Sequence, residues 1–258
     1  MASTLQYNSG NNKAAPFLRQ VLTQVRYELL LTLRRGENIL VTLIVPVLLL
    51  IFFTSLNIIP AKNGSSINFL LPGILALAII AAGMVNLGIA TAYERYYGVL
   101  KRLGSSPLSR SGLIIAKVIS ILVLEIIQVL LLVGVAVVLY KWQPAGSVWL
   151  ALGVIVLGTV TFAGLGLAMA GALRAELTLA GANALFLLFL LIGGGILPLE
   201  HFPTVLADLA QVLPAAALTQ LLEASMTNGS TFPISSLIVL AVWAVLILLV
   251  AIRTFRWE

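Results

Sequence analysis

The chain offers few groups with which to do chemistry. Its single histidine, His201, stands beside Glu200, and there is no cysteine to supply a thiolate, a disulfide or a soft metal ligand. A metal at Glu200 and His201 would need several further carboxylates, so a polar tip at the level of lipid headgroups is the simpler role for that pair. The stretch from Gly98 to Gly104 has glycines at both ends, but no Gly-Lys-Ser/Thr follows, and no phosphate-binding loop of that type occurs elsewhere. Binding or hydrolysis of a nucleotide by this chain is therefore not expected, and no catalytic cluster is expected either.

Composition explains the poverty. Apolar residues make up 60% of the 258 positions, and charged residues only 9%. Mean hydropathy is +1.10, far outside the range of soluble domains. The expected class is an all-α integral membrane protein. The length suits six spans of about 20 residues with short connections, leaving no room for a large soluble domain. A net charge of +6 would suggest nucleic acid in a soluble protein. Here it fits basic loops held on one side of a membrane, in contact with anionic lipid, and no nucleic-acid partner is expected.

Taken in order, residues 1–15 are polar and rich in Asn, Ser and Gly, which predicts a disordered tail without the apolar core of a signal peptide. Residues 16–258 are read as one transmembrane domain. After Pro16, Leu18, Val21, Leu22, Val25, Leu29 and Leu33 recur at helical spacing while Arg19, Gln20, Gln24 and Arg26 fall on other faces. This basic amphipathic helix should lie in the membrane interface. Spans are expected over residues 39–59, 68–92, 113–140, 149–173, 177–197 and 233–252. Pro46 predicts a kink in the first. Gly83, Asn86, Gly88 and Ala90 give the second a small-residue face for close packing, as the glycines Gly153, Gly158, Gly164, Gly166 and Gly171 do for the fourth.

Within the third span lie Glu125 and, one turn later, Gln128. An ionisable residue at that depth should face protein or water. One reading makes it a polar point on a pathway or between copies. The other makes it a neutral acid bonded to Gln128 or to a neighbouring helix. A single Glu without a basic partner is not a proton relay.

The sequence is organised around Tyr93 to Lys117, the only sizeable charged stretch between two long apolar segments. It holds Glu94, Arg95, Lys101, Arg102, Arg110 and Lys117. Leu100 and Leu103 share a helical face, with Lys101 and Arg102 pointing elsewhere. Gly104, Ser105, Ser106 and Pro107 break that short helix. Ser106 or Ser109 can cap the next one, and Pro107 suits a first helical position. A short amphipathic helix held between two spans is either a handle for a partner on that side or a plain solvated connector.

The pattern Glu94-Arg-x-x-Gly98-x-Leu100-x-Arg102-Leu103, followed by Ser106-Pro-Leu-Ser-Arg110 and Lys117, resembles the cytoplasmic loop of type-2 ABC exporter permeases. A second match, Gly193-Gly194-Gly195-Ile-Leu-Pro198, then Phe202-Pro203 and Leu213-Pro214, is similar to that family's element between the fifth and sixth spans. Together they cover Leu71 to Met226, in the right order and each at a span boundary. The resemblance implies a cytoplasmic coupling helix around Glu94, Gly98, Leu100, Lys101, Arg102, Leu103, Pro107 and Leu108 that docks on a separate ATPase subunit. On this view Leu100, Leu103 and Leu108 would be the anchors buried in the ATPase, with Lys101 and Arg102 at the rim. It also implies an N-terminal interfacial helix touching the same subunit and an external re-entrant helical hairpin over Gly193 to Pro214. The pathway would be formed with a second copy or a sister permease. ATP and Mg would reside on the partner, with no cofactor in this chain. An apolar path leans towards lipophilic drugs or lipids. The competing class is an ion-coupled carrier or channel, which usually shows paired broken helices, intramembrane charges and internal repeats. Here Glu125 stands alone, and the first three spans are not repeated in the last three.

Orientation follows from charge. Lys13, Arg19, Arg26, Arg34 and Arg35, the five basic residues of the central loop, then Arg174, Arg253 and Arg256 all fall on one side of the six-span model. Only Lys62 and Lys141 fall on the other. Six spans in a prokaryotic plasma membrane with both termini cytoplasmic is the expected topology. Because the chain has no cysteine, single-cysteine probes report cleanly. A cysteine at Ser105 should resist an impermeant thiol reagent in intact cells, whereas one at Thr227 should react. Labelling of Ser105→Cys alone would reverse the topology.

Overall fold

In the computed structural model, residues 15–34, 36–56, 66–106, 108–227 and 231–254 are described, apart from the side chains of residues 37–39 and 201. Residues 1–14 of the expected tail over 1–15, Arg35, the connection over 57–65 with Lys62, Pro107, and the end with Arg256 and Trp257 lie outside the described residues.

Helices account for every regular element among the described residues. α1 (Phe17–Arg34) precedes α2 (Gly36–Leu56). α3 (Ile67–Ile80), a π-helical turn (Ala81–Asn86) and α4 (Leu87–Tyr96) form one continuous rod of 30 residues. Then come α5 (Val99–Gly104), α6 (Arg110–Tyr140), α7 (Val148–Ala172) and α8 (Ala175–Ile192). A 3₁₀ turn (Leu199–His201), α9 (Thr204–Val212), α10 (Pro214–Met226) and α11 (Ile234–Thr254) complete the chain.

Among the described residues, five rods are long and apolar enough to cross a membrane: α3 through α4, α6, α7, α8 and α11. The α9–α10 pair, bent by 84°, passes the same test only if taken as one. The expected first span appears as a shorter apolar stretch, Leu40–Leu56. Pro46 sits inside α2 without ending it. The expected end of the fifth span at Leu197 is five residues too late, because α8 stops at Ile192 and the glycines begin.

The α3–α4 rod is the centre of the bundle and 89% buried over its most apolar stretch, whereas α6, α8 and α11 leave most of their apolar surface outward. Helices buried in this way must approach closely, and glycine permits it. A Cβ at Gly88 would sit 2.9 Å from Gly166 Cα of α7, and one at Gly83 would sit 2.8 Å from Ala163 N. These contacts realise the small-residue faces expected of both spans, although Gly153 has open space around it. At the end of the bundle away from α5, a Cβ at Gly73 would fall 1.9 Å from the Gly195 carbonyl oxygen. Backbone meets backbone there, so the strand of chain leaving α8 is seated directly on α3.

The amphipathic face expected of α1 is divided. Val21 and Val25 are buried against Ala116 of α6, with Leu29 and Ile119 beside them. Leu18, Leu22 and Leu33 remain exposed and form the edge a bilayer interface would cover.

Gly73→Ala is expected to destabilise the bundle by about 1–3 kcal/mol through overpacking, read as a lower thermal unfolding midpoint in detergent. Gly153→Ala, with space for its methyl group, should leave the midpoint unchanged.

Candidate functional site

The end of the bundle that carries α5 joins Glu28, Glu94, Arg95 and Lys117 in polar contacts between helices. α4 terminates where Tyr97 and Gly98 donate backbone hydrogen bonds to the Tyr93 and Arg95 carbonyls, at 2.9 and 3.0 Å. Gly98 adopts φ +71°, the left-handed conformation that ends helices and that other residues adopt only under strain. The chain therefore turns sharply and α5 lies across the end of the bundle. α6 restarts with Ser109 as its N-cap, its Oγ accepting from the Gly112 N–H at 3.1 Å. Ser106 instead donates to the Leu103 carbonyl, so Ser109 is the cap of the two candidates.

The leucines of this stretch face inward. Leu100 is 1% exposed and packs among Leu87, Leu113, Ile114, Leu167 and Ala251, with Leu103 and Leu108 partly buried against the same cluster. Leu100, expected as an anchor for a partner, is thus enclosed by the chain's own core, while Leu103 and Leu108 keep part of their surface exposed. A short amphipathic helix at the end of a bundle spends its apolar face covering its own core. Val99, Lys101, Arg102, Ser105 and Ser106 form the outward edge, with Tyr96 and Tyr97 exposed beside them and packed edge to face, ring centroids 5.2 Å apart.

Behind α5 is a contact that spacing did not reveal. Lys117, 1% exposed, places its Nζ 2.7 Å from Glu94 Oε2 and 3.0 Å from Glu28 Oε1. Gln24 donates to the same Glu28 oxygen at 2.9 Å. One ammonium thus joins α1, α4 and α6. Arg95, the neighbour of Glu94, donates to the carbonyl of Gly171 at 2.7 Å and also to that of Leu173, satisfying carbonyls at the C-terminal end of α7. Glu94 and Arg95 are therefore internal ties rather than loop charges, and Pro107 lies outside the described residues.

Deeper in, Glu125 and Gln128 part company. Glu125 is buried against α7, where Thr159 donates to its Oε2, while its Oε1 has no partner among the described residues. Gln128 donates to the Thr42 carbonyl of α2 at 2.7 Å. Asn86, at the end of the π-helical turn, donates to the Thr42 hydroxyl at 3.1 Å. Between the Thr42 group and the Lys117 group lies a cavity of about 660 Å³, walled by α1, α2, α3 through α4, and α6.

At the other end, Gly193 caps α8 and donates to the Phe189 carbonyl at 2.8 Å. Gly194 has φ +71°, and all three glycines are buried. Leu199 is in the 3₁₀ turn and Phe202 in the linker, and α9 begins only after Pro203. α10 opens on Pro214 and is buried along most of its length, whereas α9 turns Val205, Leu206, Leu209 and Val212 outward. Trp243 of α11 donates to the Val212 carbonyl at 2.9 Å, and Trp142 donates to Asn68 at 3.0 Å.

The family model described as ABC-2 type transporter matches residues 19–227. The chain belongs to the ABC-2 type transporter family. The match begins in α1 and closes just after α10, so the Lys117 cluster, α5, the cavity and the bent pair all lie within the ABC-2 region. Two curated relatives are similar. The "Probable multidrug ABC transporter permease YbhS" of Escherichia coli is 23% identical over 165 residues, 63% of this chain and 44% of the relative. The "Putative transport permease YvfS" of Bacillus subtilis is 27% identical over 193 residues, 71% of this chain and 76% of that one. The aligned part thus spans less than half the length of the first relative. With its apolar rods, this ABC-2 chain is a multi-pass membrane protein.

Removing one member of a buried ion cluster leaves an uncompensated charge, at a cost of about 3–5 kcal/mol. Lys117→Met should therefore markedly lower the unfolding midpoint of the ABC-2 chain. Adding Glu28→Gln and Glu94→Gln should recover a large part of the loss. A triple variant no better than Lys117→Met would show that the cluster does not act as a unit.

Proposed function

We propose that the chain is the membrane-spanning permease subunit of an ATP-binding cassette exporter that moves a lipophilic substrate, such as a drug or a lipid, out of the cytoplasm. A separate ATPase subunit would bind ATP and Mg and drive the cycle, and a second copy or a sister permease would complete the pathway. The observation that carries this reading is family membership over residues 19–227. The name of the Escherichia coli relative, a probable multidrug permease, favours a lipophilic cargo, as does the scarcity of charge along the spans.

The distribution of Lys and Arg supports placing the α5 end in the cytoplasm. There the ATPase subunit would meet the edge of α5 that faces out, Val99, Lys101 and Arg102, flanked by Tyr96 and Tyr97. Aromatic and Arg side chains are the residue types that concentrate interface energy. Leu100 and Leu103 serve this contact indirectly by seating α5 on the bundle. Motion of α5 would reach α1, α4 and α6 through Gly98 and the Lys117 cluster. At the outer end, the bent α9–α10 pair is read as the re-entrant element, with the exposed apolar side of α9 resting in the outer leaflet.

The test is co-purification of the ATPase subunit with permease variants whose changed residues are exposed and outside the core. Val99→Asp combined with Arg102→Glu should weaken retention at least about tenfold, as loss of hot-spot contacts does, while the permease unfolds at its usual temperature. Full retention by that variant would remove α5 from the interface.

A further inference from the structure

The cavity beside α4 is unlike the rest of the bundle. Elsewhere glycines bring helices into backbone contact, yet here about 660 Å³ stays open, within the range of about 300–1,000 Å³ that holds drug-sized ligands. Its two ends are polar and its middle is apolar. At the α5 end stand Glu28, Glu94 and Lys117. Lys117 and Gln128 are eleven residues apart on α6, so the far end lies about 16 Å away at the helical rise. Asn86 and Gln128 stand there, converging on Thr42 from the π-helical turn and from α6. Each primary amide has two N–H donors and a carbonyl with two lone pairs. The bond to Thr42 uses one donor of each, so hydrogen-bonding capacity remains at the cavity's inner end.

Two further observations point to a ligand rather than a packing gap. The wall is broken by the π-helical turn Ala81–Asn86, which ends on Asn86 itself. Such turns insert a residue into a helix, re-aim the side chains that follow, and recur at functional sites. Leu33 and Ile127 line the cavity and are 59% and 47% exposed, so the cavity opens on the flank of the bundle, where the bilayer would be. A ligand can therefore reach it from the membrane without crossing the protein.

We propose that this cavity, within a single copy of the chain, is a binding site for a ring-containing amphiphile with hydrogen-bonding groups at both ends, taken up laterally from the membrane. The inference deepens the export reading, on which it rests, by naming a site and the chemical class it selects. One polar end meets the Glu28 and Glu94 carboxylates, the partly exposed members of the Lys117 cluster. The other meets the Asn86 and Gln128 amides, and the rings lie against Leu43, Ile89 and Leu124. A diacyl lipid fits less well. Its headgroup could meet the charged end, but its acyl chains would lie against the two amides and leave their hydrogen bonds unmade.

The probe is rhodamine 6G, a planar amphiphile with secondary amines at opposite ends of its ring system. Its binding is measured by fluorescence anisotropy to the full chain in phosphatidylcholine nanodiscs, where diacyl lipid is in large excess. Saturable binding is expected for the unmodified chain. Asn86→Leu and Gln128→Leu should each weaken it at least tenfold. Ala90→Phe, which places a ring in the cavity, should abolish it. Asn86 is exposed, so its substitution tests the site even if Ala90→Phe fails to fold. Absence of saturable binding, or equal affinity in Asn86→Leu and Gln128→Leu, would overturn the proposal. Retention of the ATPase subunit is measured on the same preparations. If dye binding fails while the ATPase still co-purifies, the cavity proposal falls and the export reading stands.

Discussion

An ammonium group almost sealed from water is the constraint on which the α5 end of this protein depends. A buried cation is tolerated only where carboxylates and hydrogen bonds replace its hydration. Lys117 meets that condition only because Glu28 and Glu94 arrive from two other helices. α1 is thus fixed to the bundle by a charge contact as well as by Val21 and Val25 against Ala116. The next residue after Glu94, Arg95, ties the same helix to the end of α7. Two consecutive side chains at the end of α4 therefore hold α6 and α7 directly, and α1 through Lys117, and the left-handed Gly98 hangs α5 from that fixed point. A short helix that could not fold alone becomes a rigid platform with its leucines in the core and its basic edge outward.

The opposite end is held by different means. There the backbone itself makes the contact, at Gly73 against Gly195 and at Gly146 against Ser225, with the indoles of Trp142 and Trp243 supplying hydrogen bonds. Between the ends, the helices bury polar groups in ones and twos. Glu125 with Thr159 and Gln128 with Thr42 tie α6 to α7 and to α2. The cavity lies where α6 and α4 diverge between the Lys117 cluster and Thr42, so tight packing at both ends of the bundle leaves an opening in one flank.

Much of the architecture was legible in the sequence because a bilayer imposes length and hydropathy so strictly. The long apolar helices, the amphipathic helix ahead of them, the break after Gly104 and the glycine contacts of the second and fourth spans were all anticipated. What escaped was what depends on direction. Helical periodicity says that Leu100 and Leu103 share a face, but not whether that face meets a partner or the chain's own core. Nothing local marks Glu28 as a carboxylate whose partner, Lys117, is far along the chain. Arg95 was counted with the loop charges although its guanidinium caps another helix. The π-helical turn has no residue signature in Ala81–Asn86, so neither it nor the cavity beside it could be anticipated. The one available clue was that Lys117 interrupts an apolar stretch. A cation so placed must be paired within the protein, and Glu94 was its nearest candidate in the charged loop.

The most direct test of the platform account is a structure of the chain bound to its ATPase subunit, determined in lipid nanodiscs. Expected is an ATPase surface in contact with Val99, Lys101 and Arg102, with Leu100 still enclosed among Leu87, Leu113 and Leu167 and with Lys117 still between Glu28 and Glu94. An ATPase seated elsewhere, or Leu100 and Leu103 turned out into an ATPase groove, would contradict it.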